Sequence, residues 1–135
     1  MEEILKKLIV VFVILISFLI VSRCNNVNYI KADYFNIGYG MSWYEANNKV
    51  DIETVQSLVK AYNQIEYSHQ TNEEIDYKKA ITIQFIYNDQ ISGMLVIDDK
   101  GIYHLRNSSE NYQIDANNDL YVNALDIYNE VKKQY

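Results

Sequence analysis

Ala80-Ile81-Thr82-Ile83-Gln84-Phe85-Ile86-Tyr87 is the stretch that decides the fold. Ile81, Ile83, Phe85 and Tyr87 fall on one side of an extended chain, and Thr82 and Gln84 on the other. Successive side chains of a strand point to opposite faces, so the pattern is that of a half-buried strand. Asn88-Asp89-Gln90 follows as a tight turn, and Ile91 to Ile97 forms the return strand. Asp98-Asp99-Lys100-Gly101 is a second turn, with Gly101 able to take positive φ. Ile102 to Leu105 makes a third, shorter strand. Loops this short force the three strands to be antiparallel neighbours.

Two helices flank this meander. Before it, Asp51 is placed to cap a helix, because its carboxylate can accept from a first-turn amide. Ile52, Val55, Leu58, Val59, Tyr62 and Ile65 then recur at helical spacing. Glu66 to Lys79 is polar, mixed in charge and expected to be a loop. After the meander, Asn107 to Tyr112 is expected to be a second polar loop. From about Ala116 to Lys133 the pattern predicts a helix, with Leu120, Ala124, Leu125, Tyr128 and Val131 on one side. Asp115 is the expected N-cap, and Lys132 and Lys133 oppose the negative end of the dipole. Val27 to Phe35 is rich in β-branched and aromatic residues and predicts a first strand. Gly38-Tyr39-Gly40 marks a turn, and Met41 to Val50 reads equally as strand or loop. The expected architecture is α+β: strand, helix, three-strand meander, helix, forming one antiparallel sheet with both helices on one face.

The chain divides into a leader, residues 1–24, and a domain, residues 25–135. In the leader, Lys6 and Lys7 precede an apolar run from Leu8 to Ser22 that is broken only by Ser17. As a helix this run is roughly 22 Å long, against about 30 Å for a hydrocarbon core. Ile4 and Leu5 lengthen it if the lysines extend toward the headgroups. The run is too apolar all round for a core helix, and lysines before it favour a cytoplasmic N-terminus. The expectation is a single-pass membrane anchor with residues 25–135 outside the cytoplasm. Two other readings stay open. Ordinary signal cleavage wants small residues, and no alanine or glycine occurs from Leu8 to Cys24. Lipidation at Cys24 suits its position after the run, yet Arg23 stands where a small residue is usual.

Charge and composition exclude several roles. The leader carries Glu2, Glu3, Lys6, Lys7 and Arg23, a net of +1, so a whole-chain charge of −6 leaves −7 for the domain. Such a surface repels nucleic-acid phosphates and anionic headgroups. Cys24 is the single cysteine, so no internal disulfide forms.

No chemical motif emerges. His69 and His104 are far apart and lack paired metal-ligand spacing. Asp115, Asn117, Asp119 and Asp126 copy the spacing of a calcium loop, but Leu120 replaces the glycine and Asp126 the bidentate glutamate. Glu73-Glu74 and Asp98-Asp99 read as solvated loop charges, and Ser108 and Ser109 lie outside any nucleophile elbow. No catalytic residue, cofactor or metal is expected. The candidate interaction surface is Tyr39, Met41, Trp43 and Tyr44, aromatic and apolar residues beside two glycines. The alternative for Trp43 is a place in the core beside the helix.

The order of elements, with Ile81-Thr82-Ile83-Gln84-Phe85, the Asp99-Lys100-Gly101 turn and Tyr112-Gln113-Ile114-Asp115, resembles a group of small exported proteins of low-GC Gram-positive bacteria. That group is known only as a domain of unknown function. The resemblance covers roughly the second half of the chain and implies a membrane-tethered module, with no catalytic residue to carry over. The expected function is a non-enzymatic, extracytoplasmic protein-interaction module at the cell envelope, with an immunity or accessory role as one form. A small-ligand or cell-wall sensor is the alternative, and an envelope hydrolase a third.

Overall fold

The computed structural model describes the backbone of residues 1–24, 29–65, 69–106 and 108–135, and the leader's side chains through residue 16. Its helices are α1 (Glu2–Cys24), α2 (Ile52–Asn63) and α3 (Leu120–Lys132). Its strands are β1 (Tyr34–Tyr39), β2 (Ser42–Glu45), β3 (Gln70–Thr71), β4 (Ile81–Tyr87), β5 (Gln90–Ile97), β6 (Ile102–Leu105) and β7 (Asn111–Gln113). The protein is α+β, with one seven-stranded sheet in the order β2-β1-β4-β5-β6-β7-β3. Every neighbouring pair is antiparallel.

The alternation in β4 sets the layers. Ile81, Ile83 and Phe85 are buried in one cluster with Phe35 and Ile37 of β1 and Leu95 and Ile97 of β5. Val55, Leu58, Val59 and Tyr62 of α2 close that cluster, together with Leu120, Ala124, Tyr128 and Val131 of α3. Both helices therefore cover the same face, as their spacing predicts. Asp51 caps α2: its Oδ1 accepts from the Thr54 amide at 2.7 Å. The Thr54 hydroxyl and amide hold the Asp51 carboxyl below its ordinary value. Asn88 and Asp89 both take positive φ in the β4–β5 turn, as the right-handed twist of a two-residue hairpin favours.

The sheet is larger than the sequence predicts. Four strands are expected from it, with Met41 to Val50 undecided, and seven are found among the described residues. The additional strands β2, β3 and β7 have four, two and three residues. Such segments are too short to show a period and are strands only because a neighbour pairs with them. β3, inside the first expected polar loop, pairs at the sheet edge with β7, which begins inside the second and runs one residue past it.

Three boundaries also move. The first strand begins at Tyr34, where pairing with Ile86 of β4 starts, rather than at Val27. Residues 25–28 of that expected strand lie outside the described residues. Gly38 belongs to β1 and not to a turn, because Trp43 of the paired strand lies across it. A Cβ on Gly38 would stand 2.8 Å from the Trp43 ring. The turn itself falls on Gly40, at φ +57°, and Met41. Lastly, α3 starts at Leu120, so Asp115 is not its cap; the Asn118 side chain accepts from the Leu120 amide at 2.9 Å.

The sheet's other face is partly covered by residues 72–80, which run from the β3 edge back to β4 at the centre. Ile75 and Ala80 from this segment bury Val96 and Ile102 in a second cluster. Asp98 fastens the segment down. Its side chain is fully buried, contrary to the expected solvated charge. Oδ2 accepts from the Asp76 amide at 3.0 Å, and Oδ1 accepts from the Lys100 and Ile102 amides at 3.0 Å. Asp99 beside it is exposed enough to pair with Lys79 at 3.4 Å.

In α1 the large apolar side chains from Ile4 to Ile16 are 41 to 65 % exposed. Among the described residues no helix is long and apolar enough to cross a membrane. The side chains of residues 17–22, which continue the apolar run in sequence, and that of Cys24 lie outside the described residues.

Removing the buried carboxylate orphans three amides at once. Asp98→Ala is expected to cost about 3–5 kcal/mol, and Asp99→Ala less than about 1 kcal/mol. Urea unfolding of the two variants measures the difference.

Candidate functional site

The expected aromatic surface is divided by the sheet. Tyr39 and Tyr44 face the helices. Their rings lie 5.7 Å from that of Tyr128, and Tyr44 lies 5.2 Å from Tyr135. Period two then sends Trp43 to the opposite face, over Gly38, where it is 48 % exposed. Met41 is 99 % exposed at the turn. The four residues form no common surface, and Trp43 is not a core residue beside a helix either. The two tyrosines act as packing that holds α3 to the sheet edge. The Tyr135 hydroxyl adds to this by donating to the Glu45 carbonyl at 2.6 Å.

The remaining candidates separate as well. His69 approaches Asp115 at 3.7 Å on an exposed surface. His104 contacts the Glu110 carbonyl through Nδ1 at 3.2 Å. Asp126 is carried on α3, while Asp115 and Asn117 precede it. Among the described residues no group of three or more His, Cys, Asp or Glu is placed to hold a metal. Glu73 stands 4.0 Å from Lys100. Ser108 donates to the Glu110 carbonyl and accepts from the Glu110 amide, closing a local turn.

What the fold does build is a cleft of about 770 Å³. It opens at the end of the sheet beside Tyr29, the first described residue of the domain. Residues 29–31, Tyr62 of α2, Tyr87 of β4, the start of β5, the end of β6, residues 108–110 and Tyr112 line it. Its geometry is tied down by specific bonds. The Asn63 side chain accepts from the Ile30 amide at 2.9 Å and donates to the Ile30 carbonyl at 3.2 Å. The Ser92 hydroxyl donates to the Lys31 carbonyl at 2.7 Å. Ile30 and Tyr62 lie directly on Gly93, where a Cβ would approach them to 3.1 and 3.3 Å.

The inner rings are held by the core. Tyr62 meets Phe85 edge-on at 5.3 Å, and Tyr112 stacks on Tyr103 at 5.6 Å. Toward the rim stand Tyr29, 74 % exposed, and Tyr87, 37 % exposed. The rim also carries charge. Lys31 Nζ lies 6.0 Å from the centre of the Tyr87 ring. Arg106 donates to the Ile91 carbonyl at 2.9 Å, and Glu110 accepts from Gln70 at 2.8 Å. Fixed rings inside and polar groups at the mouth are the composition of a binding cleft.

None of these lining residues is expected from the sequence as a site. They come from positions spread between 29 and 112. The one available signal is Gly93 inside an otherwise apolar strand, since such a glycine marks close approach by another group. No protein-family model matches the chain, and neither a curated protein nor a solved structure does. Function therefore rests on the residues themselves.

Two outcomes follow from the placement of the aromatics. Trp43→Ala is expected to leave the domain folded at a cost of about 1–2 kcal/mol, read by thermal unfolding. Tyr121 donates to the Lys79 carbonyl at 2.8 Å, and burial first, then Tyr39 and Asp99, push its phenol up to about 12. The raised value favours the folded state fully below the ordinary value of 10.0 and is lost as pH rises toward 12. An absorbance titration should find a late-titrating phenol that Tyr121→Phe removes, with a shallower alkaline loss of stability in that variant.

Proposed function

We propose that this chain is a membrane-tethered, non-enzymatic interaction module on the outer side of a bacterial cell membrane. In this reading α1 is the anchor, through Leu8 to Ser22, and residues 25–135 form the extracytoplasmic domain. One observation carries it. The large apolar side chains of α1 from Ile4 to Ile16 stand 41 to 65 % exposed on all sides of the helix. Each such side chain left in water forgoes roughly 1.5–3 kcal/mol of burial. A bilayer supplies that burial, and a helix satisfies its own backbone there. Lys6 and Lys7 ahead of the run orient it with the N-terminus inside.

The domain side is consistent with binding. From Cys24 to Tyr29 the chain spans at most about 18 Å, so the cleft lies near the tether. The net charge of −7 keeps the rest of the domain off anionic headgroups. An envelope protein is the partner class, and an immunity-type role is one form of it. The cleft favours a second reading, a small-ligand or cell-wall sensor, on the same tether.

Replacing Val11 and Ile14 together by lysine places two charges in the run, each costing about 2.5–3.5 kcal/mol at a bilayer centre. The expected result is loss of the protein from the membrane fraction, while Cys24→Ser leaves it there. Protease added to intact cells should remove the domain. Retention of the double-lysine variant together with release of Cys24→Ser would transfer the anchor to a lipid on Cys24. A domain degraded only in permeabilised cells would refute the extracytoplasmic placement.

A further inference from the structure

We propose that the cleft binds a short saccharide bearing an acidic group. The inference rests on the extracytoplasmic reading for the source of its ligand, since saccharide polymers surround a domain placed there. Its volume of about 770 Å³ lies in the range of roughly 300–1,000 Å³ that holds small ligands.

A sugar ring offers a C–H face and a rim of hydroxyls that both donate and accept. The cleft offers the complement of each. Tyr112, half-buried, presents ring surface that its stacking on Tyr103 already holds in place, above a floor to which the buried Tyr62 contributes an edge. Little side-chain freedom is then lost when a ligand packs on them. Tyr29 and Tyr87 extend this surface outward as exposed rings. Lys31 and Arg106 supply donors, and Glu110 supplies an acceptor.

Charge narrows the class. An apolar ligand would strip water from Lys31, Arg106 and Glu110 and return nothing, which is costly. A long polyanion would meet Glu110 and a domain of net charge −7. The lining alone carries two cations and one carboxylate, a local excess of one positive charge. A ligand with hydroxyls and isolated carboxylates or phosphates satisfies both signs.

The test is calorimetric titration of the full chain in a sugar-free detergent, with cellotetraonate, which carries one carboxylate, and uncharged cellotetraose as probes. The acidic tetramer is expected to saturate one site and to bind about tenfold tighter than the neutral one, a difference of about 1.4 kcal/mol. Tyr29→Ala and Tyr87→Ala, both at exposed positions, should each weaken it about tenfold with unchanged unfolding midpoints. Lys31→Gln should erase the preference for the acid. Tyr77→Ala, exposed on the segment that crosses the opposite face, should change nothing. No saturable binding of either tetramer, or full binding by the Tyr29 and Tyr87 variants, overturns the proposal. Tighter binding of the neutral tetramer overturns its acidic part. Because binding is read on purified protein, its failure is distinct from a failure of topology in cells.

Discussion

Burial of Ile81, Ile83 and Phe85 against two helices is the constraint on which the domain depends. These side chains sit at the middle of the sheet and leave no surface to water beyond about 1 %. β4 is flanked by β1 and β5, the two longest pairings in the sheet. Every other strand is added to that unit, directly or through a neighbour. A one-residue slip in β4 would turn all three side chains to the opposite face, so the register is strongly determined. The helices have no alternative place to bury their own apolar stripes.

The two faces of the sheet are closed by different physics. The helix side is a conventional apolar core, extended at the β2 edge by Tyr39, Tyr44, Tyr128 and Tyr135. The other side is closed by a crossing segment with only Ile75 and Ala80 to bury. So small a cluster is reinforced by polar bonds, and the Asp98 carboxylate supplies them to three amides. A carboxylate in that position is tolerated because its lone pairs are occupied by N–H donors. Two neighbouring aspartates thus differ entirely in role, Asp98 as an internal fastener and Asp99 as a surface charge.

The cleft is a consequence of how the chain enters the domain. Ile30 and Ala32 are buried although they precede β1, and Asn63 and Ser92 hold this entry segment by its backbone. The segment therefore forms one wall of the cleft. The residues that line this wall, Tyr29 to Lys31, are also the first described residues after the leader.

Local pattern determined the β4–β5–β6 meander, the Asp51 cap, the course of α2 and the apolar face of α3, because each signal lies within one turn or one strand. The leader's apolar run is equally a property of consecutive residues. Pairing alone decided the three short strands: β2 by a local hairpin with β1, and β3 with β7 across some forty residues of chain. Tertiary structure decided that Tyr39 and Tyr44 turn inward while Trp43 turns outward, that Asp98 is buried, and that Tyr29, Lys31, Tyr87, Arg106 and Glu110 share one cleft. Which side of each strand meets the core, and which segment covers Asp98, depend on contacts between residues far apart in the chain, such as Tyr39 with Tyr128 and Asp76 with Asp98.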